Sequence, residues 1–184
     1  MLRAVIRSRL AALALVAALS ALTLGLAACG SEEATEVVEG EPAELGELAY
    51  NVQITRFLNP DDVEDAEYLV GAPEPEPGTS YLGVFMTVVN KSKDDSHTSA
   101  DSYTVVDTVG NEFEPAESES PYALDIGAEV GEEDQLPVPD STAATGPNQG
   151  AMLLFLVDDT VSENRPLELE IDSDDGSGVV ELDI

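Results

Sequence analysis

Short hydrophobic runs separated by polar turns dominate residues 48–184. Hydrophobic and polar positions alternate in residues 48–55, which predicts a half-buried β-strand with Leu48, Tyr50, Val52 and Ile54 on one face. Residues 81–89 (YLGVFMTVV) and 151–157 (AMLLFLV) are hydrophobic on both faces, which is typical of central strands. The spacing of hydrophobic residues predicts no amphipathic helix of usable length in this region.

The other strands are predicted from the turns between them. Residues 103–107 and 112–114 flank a Gly110-Asn111 turn, and an alternating run at 167–171 precedes a turn at 174–176. Residues 179–184 then return as a hairpin partner. About seven short strands of this kind predict an all-β fold, an immunoglobulin-like antiparallel β-sandwich. Residues 115–150 are rich in Pro, Gly and acids and are expected to form a long loop.

The longest hydrophobic run lies at the N-terminus. Arg3, Arg7 and Arg9 precede residues 10–28, which carry no charge and consist mainly of Ala, Leu and Val. A cationic segment followed by a hydrophobic one is the plan of a secretory signal peptide. Residues 1–28 are therefore predicted to be a signal helix that is removed from the mature protein.

Leu26, Ala27, Ala28 and Cys29 stand in this order at the end of the hydrophobic run. They resemble the lipobox of bacterial lipoproteins, in which Leu, two small residues and Cys follow one another. The resemblance implies a diacylglycerol thioether on Cys29, cleavage between Ala28 and Cys29, and acylation of the new amino terminus. Two or more acyl chains anchor a protein stably, whereas a single chain holds it marginally.

Three other interpretations of this region stay open. The 19 uncharged residues 10–28 are long enough to cross a bilayer as an uncleaved helix. The leader could instead be an ordinary signal that is cleaved after an A-x-A site, with Cys29 incidental. Cys29 could also be a buried free thiol, and as the only cysteine it forms no intramolecular disulfide.

Charge distinguishes the leader from the rest of the chain. Removing residues 1–28 removes three of the seven basic residues and none of the 38 acidic ones, which leaves a formal charge of −34. This charge excludes nucleic acid as an expected partner, because binding there depends on cations that neutralise phosphates. It also excludes an electrostatic attachment to anionic lipid, which requires clusters of Lys and Arg.

Residues 29–47 are predicted to be a lipidated cysteine followed by an acidic tether. Residues 30–47 contain seven glutamates and little periodic hydrophobic pattern, which favours an extended, solvated linker. The predicted organisation is therefore a signal peptide over 1–28, a tether over 29–47 and the sandwich over 48–184. We expect the protein on the outer side of the cell membrane, held by the lipid on Cys29.

Candidate catalytic and metal-ligating residues are few. His97, the only histidine, lies in a polar loop and is expected to be exposed. Carboxylate pairs suited to a hydrolase arise by chance among 38 acids, so we expect no enzyme and no cofactor. The weak calcium candidates are Asp172, Asp174 and Asp175. Gly176 occupies the third ligand position of a calcium loop, which favours a simple β-hairpin turn instead.

Three stretches resemble uncharacterised immunoglobulin-like domains of bacterial lipoproteins. They are residues 81–92, a strand that ends at Asn90; residues 106–113, a Val-Asp…Gly…Phe segment; and residues 147–157, a Pro-x-x-Gly that leads into a hydrophobic strand. The resemblance implies a sandwich exposed at the cell surface, similar in architecture to secreted actinobacterial immunoglobulin-like antigens. It supplies no active site.

The expected function rests on the anchor and on the acidic sandwich. We expect a lipid-anchored surface domain with a binding or structural role, whose partner is an envelope or extracellular protein. The alternative is a calcium- or salt-responsive domain in which cations screen the carboxylates and complete folding. Weak binding of divalent cations over the acidic surface is expected in either case. A hydrolase that uses paired carboxylates is the third hypothesis.

Overall fold

Two large sheets share one hydrophobic core in residues 34–184, the part of the chain that the computed structural model describes. The first sheet contains, in spatial order, Thr35–Val38 (β1), Gly176–Leu182 (β12), Leu167–Ser173 (β11), Ser102–Val106 (β6) and Glu112–Phe113 (β7). The second contains Ala151–Asp158 (β10), Thr79–Asn90 (β4), Leu48–Leu58 (β3) and Ala43–Leu45 (β2), with Gln135–Leu136 (β9) also paired to β4. A small third sheet joins His97–Thr98 (β5) to Glu129–Val130 (β8).

The prediction of an all-β sandwich is confirmed. Its centre is β4, where Leu82, Phe85 and Met86 are fully buried because both faces of the strand are covered. β10 lies beside β4 and is buried along most of its length, as the two-faced pattern of residues 151–157 predicts. One edge departs from the antiparallel pairing of the other strands, since β1 runs parallel to β12.

The predicted tether contains two strands and is therefore wrong for residues 35–45. β1 pairs with β12 over four residues, and β2 pairs with β3. Ala43 and Leu45 are buried in the core, whereas Glu44 between them points outward. Glu36 and Glu44 point to solvent from these edge strands, and Glu39 and Glu41 lie in the turn between them, so the high charge of the segment is compatible with β-structure.

A β-bulge changes the predicted faces of β3. The register against β4 shifts between Val52 and Ile54, so that one extra residue, Gln53, is accommodated. Beyond the bulge the alternation changes phase: Ile54 is 37% exposed and Thr55 is buried. The prediction that Ile54 faces the core with Leu48 and Val52 is therefore wrong.

Residues 115–150 form less of a free loop than the sequence predicts. They contain β8, β9 and one short helix, Thr142–Thr145 (α1), whose first turn is capped by the Ser141 hydroxyl. Tyr122 and Leu124 of this segment are buried against the core. Short bridges to β10 at Pro115 and Ala123 hold the segment along the edge of the second sheet.

Different turns and loops cover the two ends of the sandwich, the hairpin end and the loop end. The hairpin end carries the β2–β3 turn at Gly46 and the β11–β12 turn at Asp174 and Asp175. These turns adjoin each other, since a Cβ placed on Gly46 would lie 2.8 Å from Asp175 Cβ. The loop end carries residues 59–78 and the 3₁₀ turn Asp159–Ser162, which follow the far ends of β3 and β10.

Candidate functional site

A cleft of about 550 Å³ lies beside the second half of β3. It lies between the segment that follows β3 and the residues that precede β10. The sequence does not predict this cleft, because its two walls are about 80 residues apart along the chain. Its lining residues are Arg56, Asp62, Val63, Glu64, Asp65, Glu67, Tyr68, Pro147 and Asn148.

An ion pair between Arg56 and Asp65 forms one side of the cleft. Both terminal guanidinium nitrogens of Arg56 donate to the two carboxylate oxygens of Asp65. Asp65 is buried and also accepts a hydrogen bond from the backbone N–H of Asn59 at 2.8 Å. A bidentate pair with a third donor fixes the guanidinium in one orientation.

Tyr68 forms the aromatic floor of the cleft. The Arg56 guanidinium carbon lies 5.7 Å from the centre of the Tyr68 ring, within the range of a cation–π contact. On its other sides the ring packs edge-on against Phe85, with 5.2 Å between ring centres, and tilted against Tyr122 at 4.6 Å. The Tyr68 hydroxyl accepts a hydrogen bond from Asn148 Nδ2 at 3.1 Å. The floor is therefore held in place by packing and by a bond to the opposite wall.

Glu67 is tied to the same aromatic cluster. The Tyr122 hydroxyl donates to Glu67 Oε2 at 3.1 Å, and the Ser120 hydroxyl donates to the Glu67 carbonyl at 2.8 Å. Burial raises the pKa of Tyr122, and the neighbouring Glu67 carboxylate raises it further because it favours the protonated phenol. Tyr122 therefore remains a hydrogen-bond donor at neutral pH.

The charges around the cleft are unbalanced. One base, Arg56, faces four acids, which are Asp62, Glu64, Asp65 and Glu67. Since Asp65 is matched by Arg56, three carboxylates remain to attract a positive group. Val63 is 87% exposed at the rim and adds a hydrophobic contact surface. The arrangement can therefore bind a cation that carries a hydrophobic body.

The residues predicted as weak calcium candidates lie at the hairpin end. Asp172 pairs with Ser177 and Ser173 with Gly176, so the predicted β-hairpin turn is confirmed. Asp174 and Asp175 line a depression of about 240 Å³ together with His97 and Asp101. Within residues 34–184 no three His, Cys, Asp or Glu side chains are grouped closely enough to hold a metal ion.

His97 is positioned differently from the prediction. It lies in β5 rather than in a loop, and its side chain is 25% exposed. Its Nδ1 is 3.8 Å from Asp175 Oδ2, so the hairpin turn supplies the nearest carboxylate. The fold therefore brings together a histidine and an acidic turn that are nearly 80 residues apart in sequence.

Two buried tyrosines lie close to this depression. The Tyr50 hydroxyl accepts a hydrogen bond from the Ala100 N–H at 2.8 Å. The Tyr103 hydroxyl is buried and has no hydrogen-bond partner within residues 34–184. Burial raises the pKa of both phenols, and the Asp175 and Asp101 carboxylates add to the effect at Tyr50 and Tyr103 respectively.

The lipobox residues Leu26, Ala27, Ala28 and Cys29 lie outside the described residues, so the predicted lipid anchor stays a prediction. Among the helices of residues 34–184, none has the length and hydrophobicity needed to cross a membrane.

Comparison with known proteins gives similarity in fold alone. No family model matches the chain, and no curated protein matches it. An uncharacterized β-sandwich protein from Clostridium difficile 630 is similar at 14% identity, over 82% of this chain and 95% of that chain, with a TM-score of 0.49. The yjhA protein from Bacillus subtilis is similar at 15% identity, over 81% and 99% of the two chains, with a TM-score of 0.48. A candidate lipoprotein from Bacillus subtilis, ycdA, is similar at 13% identity, over 79% of this chain and 38% of that chain, with a TM-score of 0.48.

Proposed function

We propose that this protein is a bacterial lipoprotein whose acidic sandwich binds a positively charged ligand in the cleft beside Tyr68, outside the cytoplasmic membrane. The single observation that carries the binding role is the cleft itself. It combines a fixed aromatic floor with three carboxylates that have no matching base among its lining residues. Three other depressions in residues 34–184 are smaller, at about 360, 290 and 240 Å³.

The anchor is supported by the order of segments in the sequence. A cationic start, an uncharged hydrophobic run and the Leu-Ala-Ala-Cys motif ending at Cys29 follow one another without interruption. The charge of −34 on residues 29–184 gives no electrostatic means of holding to an anionic membrane. Acyl chains on Cys29 supply that attachment.

The cleft has the size and chemistry of a small-ligand site. Its volume lies within the range of about 300–1,000 Å³ that is usual for such sites. The three carboxylates favour a cation and repel an anion, whereas the Tyr68 ring is buried beneath the Arg56 guanidinium and serves to hold the floor in place. The fixed orientation of Arg56 and Tyr68 means that little conformational entropy is lost on binding. An ammonium or guanidinium group attached to a hydrophobic body meets each of these features.

The anchor is tested by replacing Cys29→Ser in the full chain and following acyl labelling and membrane retention. Loss of both is the expected result. Retention of the variant in the membrane without acyl label would favour the uncleaved-helix interpretation and contradict the proposal.

The cleft is tested with phenethylammonium as the probe and phenethyl alcohol as its neutral analogue, at fixed ionic strength. Nuclear magnetic resonance shifts are expected at the Asn148 side-chain amide and at Val63, and only with the cation. Glu64→Gln should weaken the response, whereas the matched control Glu163→Gln, exposed and outside the cleft, should not. Shifts spread evenly over the acidic surface would contradict a specific site.

A calcium- or salt-responsive role is the second proposal, and the depression at His97 favours it. Asp101, Asp174 and Asp175 face the same space there, while Ser99 beside them is buried and its hydroxyl has no partner within the described residues. Since no three of the described His, Cys, Asp or Glu side chains are spaced to hold one metal ion, cations would act here by screening the repulsion between these carboxylates. Melting curves in millimolar calcium and in sodium chloride of equal ionic strength test the idea. Equal shifts in the two salts would contradict it.

A further inference from the structure

The distance along the chain between Cys29 and the folded domain is short. β1 begins at Thr35, so only residues 30–34 separate the cysteine from the first strand. Six fully extended Cα–Cα steps span at most roughly 20 Å. If Cys29 carries the lipid, as proposed above, the start of β1 is held within that distance of the membrane surface.

The start of β1 is firmly attached to the rest of the domain. Thr35–Val38 pairs with β12 over its full length, and the Glu39 N–H continues the pairing by donating to the Glu181 carbonyl at 2.8 Å. The Glu39 carboxylate accepts hydrogen bonds from the backbone N–H groups of Thr55 and Asp183, each at 3.1 Å. These contacts connect β1 to both sheets, so the strand does not extend the tether by peeling away.

Thr35 lies at the hairpin end of the sandwich. Its partner in the parallel register is Gly178, which lies just beyond the turn at Asp174 and Asp175. The Thr35 hydroxyl also donates to the Glu44 carbonyl at 3.4 Å, close to the β2–β3 turn. The chain therefore enters the domain at the hairpin end.

We infer that the hairpin end is the surface that faces the lipid headgroups, and that the cleft beside Tyr68 faces away from the membrane. The eight residue steps along β3 from Leu48 to Arg56 place the cleft roughly 25 Å farther out than the hairpin end. The lipid-facing surface consists of the turns at Gly46 and Asp174–Asp175 and the loop 91–96.

Charge opposes the alternative in which the domain lies on the outer face of its first sheet. Glu168 and Glu181 stand directly opposite each other on that face, and Glu36 and Glu170 extend the acidic surface. Anionic headgroups repel such a surface. The hairpin end is also acidic, and Lys91 there is paired with Glu44, so the place where the chain enters at Thr35, and not charge, favours this end.

The orientation is tested with two variants of the protein. Each variant carries a single fluorescent donor, at the hairpin end in one and at the loop end in the other. Cys29 is the only cysteine, and its sulfur is blocked by the lipid, so a single introduced cysteine is labelled uniquely. Ser96→Cys lies at the hairpin end and Ser162→Cys at the loop end, and both serines are exposed. The acylated full-length protein is reconstituted in vesicles of phosphatidylcholine and phosphatidylglycerol that carry an acceptor dye on the headgroups.

Energy transfer from Ser96→Cys should be at least about twofold more efficient than from Ser162→Cys, because the twelve residues of β4 separate the two ends by roughly 35–40 Å. Inserting about 20 Gly and Ser residues after Glu33 should bring the two efficiencies together, since a flexible chain of that length no longer fixes the orientation. Equal or reversed efficiencies in the protein without the insertion would overturn the inference.

The lipid anchor and the orientation of the domain are tested by separate measurements. The mass of the N-terminal peptide reports whether Cys29 is acylated in the protein used for the measurement. An unmodified peptide would contradict the proposed lipoprotein and, with it, this inference. An acylated peptide combined with equal transfer from both ends would leave the lipoprotein intact and overturn the orientation alone.

Discussion

Arg56 and Asp65 form an ion pair in which the carboxylate is buried and the guanidinium is partly open to the cleft. The Arg56 side chain is 33% exposed and that of Asp65 only 5%. The other ion pairs within residues 34–184 involve exposed or half-exposed carboxylates, as in Lys91 with Glu44. A buried charge depends on its partner far more than an exposed one, so the two pairs are expected to respond differently to substitution.

Arg56→Met should destabilise the protein by about 2–3 kcal/mol, below the cost for a fully buried pair because the guanidinium is partly solvated. The reason is that Asp65 would keep the Asn59 N–H but lose its countercharge. Lys91→Met is the control, with an expected change of about 0–1 kcal/mol. Urea denaturation measures both, and equal losses would contradict the role assigned to burial.

Tyr103→Phe should leave stability unchanged or raise it by up to about 1 kcal/mol, because the removed hydroxyl is buried and has no hydrogen-bond partner within residues 34–184. Tyr50→Phe is the matched variant and should cost about 1–3 kcal/mol, since it leaves the Ala100 N–H without an acceptor. Thermal and urea denaturation compare the two. A larger loss for Tyr103→Phe than for Tyr50→Phe would contradict the assignment of their hydroxyls.

Gly150→Ala should be among the most damaging single substitutions. Gly150 has a φ of +105°, and an added Cβ would lie 2.7 Å from the Met86 carbonyl oxygen of the central strand. Gly78 has a similar φ of +92° but no atom of residues 34–184 within 4 Å of its Cβ position. Gly78→Ala should therefore cost roughly 1–2 kcal/mol for the backbone alone, and Gly150→Ala about 1–3 kcal/mol more for the clash. Equal stabilities of the two variants would refute the close approach.

Asp107 should contribute stability that is lost in acid. Partial desolvation raises its pKa, but hydrogen bonds from the Asn111 N–H and side chain, the Asn164 side chain and the Val109 N–H outweigh this and lower it below the ordinary value. A carboxyl whose pKa is lowered on folding stabilises the protein above its unfolded pKa, and this contribution disappears as the pH falls through the folded pKa. The stability difference between the protein and Asp107→Asn should therefore be largest above about pH 5 and shrink toward pH 2–3.

Asp94→Asn is the control for this pH dependence, because Asp94 is exposed. Its stability difference from the unsubstituted protein should be small, because an exposed side chain of this kind contributes little to stability. Urea denaturation at several pH values measures both variants. A difference for Asp107→Asn that stays constant as the pH falls would show that its hydrogen bonds do not depend on the carboxylate charge.

The strands that are buried on both faces could be predicted from the sequence, whereas the short strands β1 and β2 could not. A strand buried on both faces, such as β4 or β10, is a continuous hydrophobic run that stands out from its flanks. β1 has four residues and β2 has three, and their exposed positions are Glu36, Val38 and Glu44. β1 forms only because it pairs with β12, and β2 only because it pairs with β3. A charged segment with isolated Val and Leu residues does not indicate such pairing in the sequence.

The cleft could not be predicted because it depends on tertiary packing and on one irregularity. The bulge at Gln53 changes the phase of β3, and the segment that carries Asp65 and Tyr68 follows that strand without regular structure. One signal was available: Arg56 is one of four bases in residues 29–184 and precedes a run of acids. An isolated base beside many acids indicates a specific ion pair, although not its geometry.

The measurement that tests the central claim most directly is the mass of the N-terminal peptide of the protein isolated from the membranes of the cells that produce it. The lipoprotein account predicts that this peptide begins at Cys29 and carries a diacylglycerol thioether, with or without a further acyl chain on the amino group. A chain that keeps residues 1–28, or one that begins at another residue with Cys29 unmodified, would contradict it.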